Sequence, residues 1–302
     1  MNVFVAGGSG AIGQPIVRAL VAGGHQVTAL TRSAANEPML RALGATPAVA
    51  DALDAGALRR VVVEARPTHV IHQLTALPKS GPRSAKDLVP TNRLRIEGTK
   101  NLIEAALAAR ATRFVVGSFA LLGAAEFGIP ADAQQAADAV RSMESQVLEA
   151  SARGLFEGIV LRYGLFYGPE NGMTQQMIAL ARRRFLPTVR GDRGLLPPIH
   201  IDDAASATVA ALDHGAAGST YDIVDDHPVS MSDMARTIAE SVGAPRPIAV
   251  PAWLPRLLSP YMARLMAIRL PLSNEKARAE LGWRPAHPNI REGLSGAVRH
   301  AA

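Results

Sequence analysis

One short segment near the start of the chain restricts its possible folds more than any other: Val3-Phe4-Val5-Ala6-Gly7-Gly8-Ser9-Gly10-Ala11-Ile12-Gly13. A β-branched and aromatic run stops there in a glycine turn, and apolar residues follow at helical spacing, at positions 12, 16, 17 and 20. This pattern predicts a strand, a tight loop and a helix. Glycines let backbone N–H groups approach a pyrophosphate, and the helix N-terminus adds a partial positive charge. We therefore predict that the loop binds a dinucleotide.

Two glycine spacings overlap in this loop. Gly8-x-Gly10-x-x-Gly13 fits the general dinucleotide fingerprint, while Gly7-x-x-Gly10-x-x-Gly13 is the wider spacing typical of short-chain dehydrogenases and reductases. Glycine turns also join strands to helices that bind nothing, so the position between a predicted strand and a predicted helix is what favours binding. The predicted cofactor contacts are Gly7, Ser9, Gly10, Ala11, Ile12 and Gly13.

The residues after the second predicted strand indicate which dinucleotide is bound. That strand, Gln26-Val27-Thr28-Ala29-Leu30, runs into Thr31-Arg32-Ser33, and no carboxylate occurs there. A carboxylate at this place would bind the ribose 2′-hydroxyl of NAD, whereas an arginine accommodates the 2′-phosphate of NADP. Because the guanidinium of Arg32 offers a planar fork of donors to a phosphate, we predict NADP(H) as the cofactor. The alternative is a solvated surface arginine.

Composition is that of an ordinary globular enzyme. Of the 302 residues, 48% are hydrophobic and 19% are charged. The sequence has no cysteine, which excludes disulfides and thiolate metal sites, and we predict no metal site of another kind. No apolar run of about 18 residues occurs, and no basic region precedes the first strand. We expect a cytoplasmic protein with no membrane partner.

The chain is basic, with a net charge of +6, but this charge does not indicate nucleic-acid binding. The only tight basic cluster is Arg182-Arg183-Arg184, and aromatic residues make up only 4% of the chain, too few for a base-stacking surface. We interpret the cluster as a solvated helix face or a site for an anionic group.

Strands and helices alternate through the first half of the chain. Further strands are predicted at 46–51, 68–72, 114–117 and 158–162, and helices at 34–43, 54–65, 90–110 and 132–153. Such alternation implies a parallel sheet with right-handed crossovers. The predicted fold class is therefore α/β, a Rossmann-like doubly wound parallel sheet, with residues 1–162 as the dinucleotide-binding domain.

The second half, residues 163–302, is less regular. Helices are predicted near 173–185, 202–213 and 231–242, between loops rich in proline and glycine. Because ligands of doubly wound sheets lie outside the carboxyl ends of the strands, we expect this half to form a smaller substrate-capping region there. A strand at 220–224 is expected to return to the main sheet. His200-Ile201-Asp202-Asp203 is interpreted as structural, with an aspartate capping the following helix.

Seven motifs occur in order along nearly the whole chain. They are the glycine loop, Asp51, Ile71-His72-Gln73-Leu74, Glu97-Gly98-Thr99-Lys100-Asn101-Leu102, Leu161-Arg162-Tyr163-Gly164-Leu165-Phe166-Tyr167-Gly168-Pro169, Ile199-His200-Ile201-Asp202-Asp203-Ala204 and Leu281-Gly282-Trp283-Arg284-Pro285. Together they resemble the extended short-chain dehydrogenase/reductase family, the NAD-dependent epimerase/dehydratase group. The resemblance implies that Asp51 meets the adenine amino group and that residues 163–169 lie beside the nicotinamide. It further assigns to the cofactor site Ala52, Gln73, Leu74, Thr75, Tyr163, Leu165 and Phe166.

The resemblance breaks at the acid–base pair. The family uses Tyr-x-x-x-Lys on the helix after the fifth strand, where the lysine lowers the pKa of the phenol that exchanges a proton while hydride moves. Counting from Glu144 and Arg162 places these positions at about Ala136 and Val140, and no tyrosine precedes Tyr163. The standard acid–base pair is therefore absent.

Two residues are our catalytic candidates. Ser118 ends the fifth strand, where the family places a substrate-binding hydroxyl; the alternative is a serine that bonds local backbone. Tyr163 is the second candidate, and its alternative is packing or positioning of the cofactor. Other proton carriers near the expected cleft are His72, Lys79, Glu126 and Tyr167, of which His72 is better explained as a satisfied core histidine.

The sequence favours an apolar or small carbonyl substrate over a nucleotide sugar. Leu196 stands where sugar-nucleotide enzymes of this type carry an arginine for a diphosphate, although Arg190 or Arg193 could replace it. The leading hypothesis is an NADP(H)-dependent oxidoreductase acting on a small carbonyl-type substrate with a non-standard proton donor. Two alternatives stay open: a non-catalytic NADP(H)-binding sensor or regulator, and a sugar-derivative epimerase or dehydratase.

A homodimer is also expected, through the helices at 90–110 and 132–153. In related extended enzymes these helices pair with their symmetry mates, and small residues permit close helix contact, although the same residues could equally face the sheet. Those small residues are Ala105, Ala106, Ala133, Ala136, Ala137 and Ala139.

Overall fold

The computed structural model describes residues 1–78, 81–82, 84–120, 133–168, 171–258, 263, 268–270 and 272–294. Its strands are β1 (Asn2–Ala6), β2 (Gln26–Thr31), β3 (Thr46–Val49), β4 (His69–His72), β5 (Arg113–Phe119), β6 (Glu157–Tyr163), β7 (Leu165–Tyr167), β8 (Thr188–Val189), β9 (Pro198–His200), β10 (Thr220–Ile223) and β11 (Ala249–Val250). Seven of them form one parallel sheet in the order β10-β6-β5-β4-β1-β2-β3. The predicted doubly wound parallel sheet is confirmed.

Helices cover both faces of this sheet. They are α1 (Gly13–Ala22), α2 (Glu37–Ala42), α3 (Ala55–Ala65), α4 (Val89–Arg93), α5 (Thr99–Ala108), α6 (Gln134–Ala152), α7 (Gly172–Arg182), α8 (Ile201–His214), α9 (Met231–Ser241), α10 (Trp253–Leu258), α11 (Glu275–Leu281) and α12 (Ile290–Leu294). The helix predicted at 90–110 is interrupted, because one π-helical turn, Leu94–Gly98, joins α4 to α5.

Strand side chains alternate between two apolar layers, as the period of two requires. Val3 and Val5 pack with α1 and α8 on one face. Phe4 and Ala6 pack with α3, α5 and α6 on the other face. Because the central strands are buried on both sides, they are almost wholly apolar, as expected for a parallel sheet.

The direction of strand order reverses between β1 and β4. From β1 the chain proceeds to β2 and β3 on one side, and from β4 to β5 and β6 on the other. The loops after β1 and β4 meet at this point: Gly7 has φ +91°, and a Cβ there would lie 2.7 Å from the carbonyl oxygen of Gln73. Ligands of doubly wound sheets bind in the crevice at such a reversal.

The second half of the chain is partly built into the main sheet. β10 pairs in parallel with β6, with Ile223 opposite Tyr163, and β6 itself runs one residue beyond position 162. Two small sheets, β7 with β9 and β8 with β11, lie outside the main sheet. The indole N–H of Trp283 donates to the Ser206 hydroxyl at 2.9 Å, which ties the segment after α11 to α8.

The alanines expected to allow helix pairing between two copies are already buried within one chain. All six are 3% exposed or less within the single chain. These side chains therefore do not offer the small-residue surface that we expected, and the homodimer stays a prediction. Among the described residues, no helix is long and apolar enough to cross a membrane.

Candidate cofactor and substrate site

The glycine loop forms an open backbone cradle. Gly10 N donates to Gly7 O at 2.9 Å, and a Cβ at Gly13 would lie 2.1 Å from the same oxygen, so α1 can start here only with a glycine. Within the described residues, the N–H groups of Ala11, Ile12 and Gly13 have no protein acceptor, and the first turn of α1 has no acidic residue. Backbone donors and the helix dipole therefore fit a pyrophosphate.

A polar cluster closes the end of β2 beside this loop. The Thr31 hydroxyl accepts from Ser9 Oγ at 3.2 Å and from Asn36 Nδ2 at 2.9 Å. Arg32 is exposed directly after it, and in the part of the chain that the structure describes no carboxylate pairs with it; the nearby Glu37 is bonded to Arg41 at 3.0 Å. The arrangement leaves one cation and several hydroxyls at the place expected for the ribose.

The loop after β3 is held by its own turn and by α5. Asp51 Oδ1 accepts from Leu53 N at 2.9 Å, and Asn101 Nδ2 donates to Ala52 O at 2.9 Å. Asn101 belongs to the Glu97–Leu102 motif, so that motif fixes the loop which the resemblance places against the adenine.

Tyr163 lies in a buried hydrogen-bond chain. Its hydroxyl accepts from Gln73 Nε2 at 2.9 Å and lies 2.7 Å from Thr208 Oγ1. Burial raises the pKa of the phenol to about 12, against smaller opposite effects of the two hydrogen bonds. The phenol therefore joins β6, the loop after β4 and α8, and it stays protonated at neutral pH. The structure does not bring it to Ser118.

Ser118 points towards α6. Its hydroxyl donates to Glu144 Oε1 at 2.5 Å, and Arg162 donates to Glu144 Oε2 at 2.7 Å. The serine and the glutamate are both buried. The neighbouring residue, Phe119, packs against a different set of residues, an apolar cluster that includes Leu196 and Leu270.

Phe119 reaches an apolar pocket at the carboxyl edge of the sheet. This pocket is lined by Phe119, Ala120, Gly164, Leu165, Leu196, Pro197 and Leu270. Ala136 and Val140, the two positions of the missing tyrosine and lysine, belong with Leu196 and Leu270 to the adjoining buried cluster. Carbon side chains thus occupy the place of the expected acid–base pair. Sequence reasoning missed Phe119 and Leu270, which belong to no motif.

The remaining candidates divide between core and surface. His72 is buried, lies 2.8 Å from Thr99 Oγ1 and accepts a hydrogen bond from Leu74 N. Burial, aided by the nearby charge of Arg95, lowers the pKa of His72 to about 3, so it is a neutral core histidine.

The other candidates are spread over the cofactor and substrate regions. Leu74 is half-buried and Thr75 is exposed. The half-buried Phe166 ring lies 5.3 Å from that of Tyr163. The Tyr167 hydroxyl donates to Asp225 at 2.8 Å. Lys79, Glu126 and Pro169 lie outside the described residues.

The prediction that an aspartate caps α8 is wrong. The side chain of His200, not an aspartate, accepts from Asp202 N at 3.3 Å and caps the helix, which begins at Ile201. The Asp203 carboxylate instead accepts from the backbone N–H groups of Ala286 and His287, each at 2.9 Å. The Asp203 carboxylate is therefore occupied by a tertiary contact, and the motif connects the first turn of α8 to residues 286–287.

Comparison with known proteins agrees with this geometry. A model of the NAD dependent epimerase/dehydratase family matches residues 3–224. The chain is 40% identical to a 3-diazoavenalumate denitrifying reductase from a Streptomyces species, over 97% of this chain and 99% of that protein. It is 30% identical to a 2-alkyl-3-oxoalkanoate reductase of Stenotrophomonas maltophilia, over 82% of this chain and 77% of the relative.

Solved structures show the same architecture with its cofactor. The UDP-glucose 4-epimerase of Thermus thermophilus in complex with NAD superposes over 100% of both chains, with a TM-score of 0.79 and 25% identity. A nicotinamide dinucleotide as the class of cofactor is thereby supported, in agreement with the open backbone cradle. The chain therefore belongs to the NAD-dependent epimerase/dehydratase family, within the short-chain dehydrogenase/reductase superfamily of oxidoreductases, and it lacks the Tyr-x-x-x-Lys pair.

Proposed function

We propose that the protein is an NADPH-dependent reductase that acts on a small, largely apolar substrate. The observation that carries the proposal is the apolar lining at the carboxyl ends of β5 and β6, on the edge of the sheet where the glycine loop would hold the dinucleotide. The pocket between these side chains is only about 10 Å³ in volume, so we take them as one wall of the substrate site and not as the whole of it. When bound, the nicotinamide supplies a hydride. Leu165 and Phe119 would hold the substrate by burying its carbon surface, and Leu196 in place of an arginine disfavours a diphosphate.

The chemistry of the pocket favours substrates that accept hydride without a proton from the protein. Among the described residues, none that lines the pocket has a titratable side chain. An aryl diazonium group fits this condition, because hydride replaces dinitrogen: the C–N bond breaks, a C–H bond forms, and N2 leaves. The relative with 40% identity is named for a diazo substrate and a denitrifying reduction. An aryl diazo compound is therefore our first substrate class.

A small carbonyl compound is the second class. The relative with 30% identity is named for reduction of a 3-oxoalkanoate, whose alkyl chain would suit an apolar wall. Hydride addition to a carbonyl leaves an alkoxide, which must then take a proton from water because the pocket offers none. The sensor alternative predicts NADPH binding with no reduction of either class.

The direct test follows NADPH oxidation with a hydroxyaryl diazonium salt and with a 3-oxo ester, each against the uncatalysed rate. We expect enzyme-dependent turnover of the diazonium salt with release of N2, and deuterium from 4-deuterated NADPH on the ring carbon. Turnover of the oxo ester alone would assign the carbonyl class. No turnover of either substrate, with NADPH still bound, would refute the reductase.

Arg32 should set the choice of cofactor. Its charge-assisted bonds form only with the 2′-phosphate, and such bonds are worth roughly 1.5–3 kcal/mol. We expect NADPH to bind at least about tenfold more tightly than NADH, and Arg32→Ala to remove that preference. Fluorescence titration with both cofactors measures it, with Arg18→Ala, on the helix after the loop, as a charge-matched control. Equal affinities in the unmodified protein would contradict the NADP assignment.

Ser118→Ala separates a substrate contact from a structural role. A contact made mainly in the transition state predicts a loss of kcat on the order of 10- to 1,000-fold with cofactor affinity unchanged. If the hydroxyl only donates a hydrogen bond to Glu144, the variant should lose about 1–2 kcal/mol of folding stability and keep nearly all of its kcat. The burial of Ser118 and its bond to Glu144 favour the second outcome. Steady-state kinetics and urea unfolding of the same variant give the answer.

A further inference from the structure

The four most exposed large hydrophobic side chains described in the structure lie in one small part of the second half. Phe185 is 75% exposed, Ile248 and Leu257 are each 71% exposed, and Trp253 is 61% exposed. Exposed apolar residues are ordinary when scattered singly, whereas a group of them marks an interaction surface. We call these four residues the docking face.

The small β8–β11 sheet holds the docking face together. Thr188 N donates to Ile248 O at 3.0 Å, so Ile248 lies beside the start of β8, three residues after Phe185. Trp253 begins α10 three residues after β11 ends at Val250, and the same short helix carries Leu257. The four side chains therefore belong to one ribbon of structure and its two flanks.

Positive charge is concentrated in the same two segments. Residues 171–191 and 241–274 together contain eight arginines and no aspartate, glutamate or lysine, in a chain whose total net charge is +6. Arg184 and Arg246 line one depression with Ile248, which places two of these cations beside the docking face. The segments thus combine exposed apolar side chains with a local excess of arginine.

We propose that the docking face binds the surface of an anionic lipid bilayer. Trp and Phe side chains settle at the headgroup level, Leu and Ile reach the acyl boundary, and arginines attract anionic headgroups. A second copy of the chain would bring the same positive charge to the face and be repelled. Nucleic acid would gain little from aliphatic side chains. The inference revises our expectation of no membrane partner and does not depend on the proposed reductase activity.

The test is sedimentation of the whole 302-residue chain with vesicles. We expect binding to vesicles of phosphatidylglycerol, weakened by salt, and little binding to vesicles of phosphatidylcholine. The double substitution Phe185→Asp/Ile248→Asp should reduce binding by about tenfold or more, because it removes two apolar anchors and adds two like charges. Val63→Asp/Leu155→Asp, at two exposed hydrophobic positions outside the docking face, makes the same change in charge and should keep binding.

Fluorescence gives an independent readout at the docking face. Of the two tryptophans, Trp253 is 61% exposed and Trp283 is 5% exposed, so a blue shift on adding phosphatidylglycerol vesicles reports on Trp253. We expect that shift to disappear in Trp253→Phe. Thermal melting of each variant shows that it is folded.

Three outcomes would overturn the proposal. The first is no sedimentation with phosphatidylglycerol at low salt, and the second is an equal loss in the two double variants. The third is light scattering that shows self-association dependent on Phe185 and Ile248, which would make a second copy the occupant of the docking face.

Discussion

Gly10→Val is expected to abolish cofactor binding while the fold persists. A Cβ at Gly10 would meet only the carbonyl oxygen of Gly7, at 3.2 Å, and Gly10 is exposed, so a side chain there extends into open space. That space is where a pyrophosphate must lie to reach the backbone donors of Ala11 and Ile12. Each lost charge-assisted bond is worth about 1.5–3 kcal/mol, so losing two or more lowers affinity by at least about a hundredfold.

The measurement is fluorescence titration with NADPH, together with circular dichroism and thermal melting. Gly13→Val is the contrasting variant, because its Cβ would lie 2.1 Å from Gly7 O and 2.8 Å from Gly8 Cα. Both contacts are with backbone atoms that cannot move aside, so we expect Gly13→Val to lose the fold as well as cofactor binding. Thermal stabilisation of Gly10→Val by NADPH, equal to that of the unmodified protein, would show that the loop is not the site.

Glu144→Ala is expected to destabilise the protein by roughly 3–5 kcal/mol, the range for breaking a buried ion pair from one side. The carboxylate of Glu144 is 6% exposed and bonds to both Ser118 and Arg162. Its removal leaves a partly buried guanidinium without this partner and a buried hydroxyl without its acceptor. The three residues join α6 to β5 and β6, so the damage falls on the contact between helix and sheet.

Urea unfolding measures this loss, and an exposed pair is the control. Glu37 and Arg41 form an i,i+4 pair at 3.0 Å with side chains 33% and 63% exposed. Solvent-exposed ion pairs at this spacing contribute about 0.3–0.5 kcal/mol to folding stability, so Glu37→Ala should change the stability of the protein little. Similar unfolding midpoints for Glu144→Ala and Glu37→Ala would mean that burial of the Ser118–Glu144–Arg162 network contributes nothing to stability.

Much of the architecture could be predicted because local sequence carries it. The glycine loop, Arg32 and the alternation of apolar periods were readable from segments of five to fifteen residues. Strand boundaries agreed within a few residues, since β-branched runs and turn residues act over short distances. The loss of the tyrosine and lysine was likewise evident, because it requires only the spacing from Glu144 and Arg162.

The substrate pocket could not be predicted in the same way. Phe119, Leu165, Leu196 and Leu270 come from four separate segments, and no short pattern links them. They meet because β5 and β6 are neighbours in the sheet and two segments of the second half bring Leu196 and Leu270 to the same edge.

The strand–loop–helix cradle, the doubly wound class and the absence of the standard acid–base pair follow from local sequence patterns alone. The direction in which each polar candidate points depends on tertiary packing. Ser118 donates to Glu144 because α6 packs on the face of β5 to which Ser118, like Phe114 and Val116, points. Tyr163 is bonded to Gln73 and Thr208, residues 90 and 45 positions away in the chain. Periodicity is a local property, whereas the partner of a buried hydroxyl depends on which distant strand or helix the packing brings beside it.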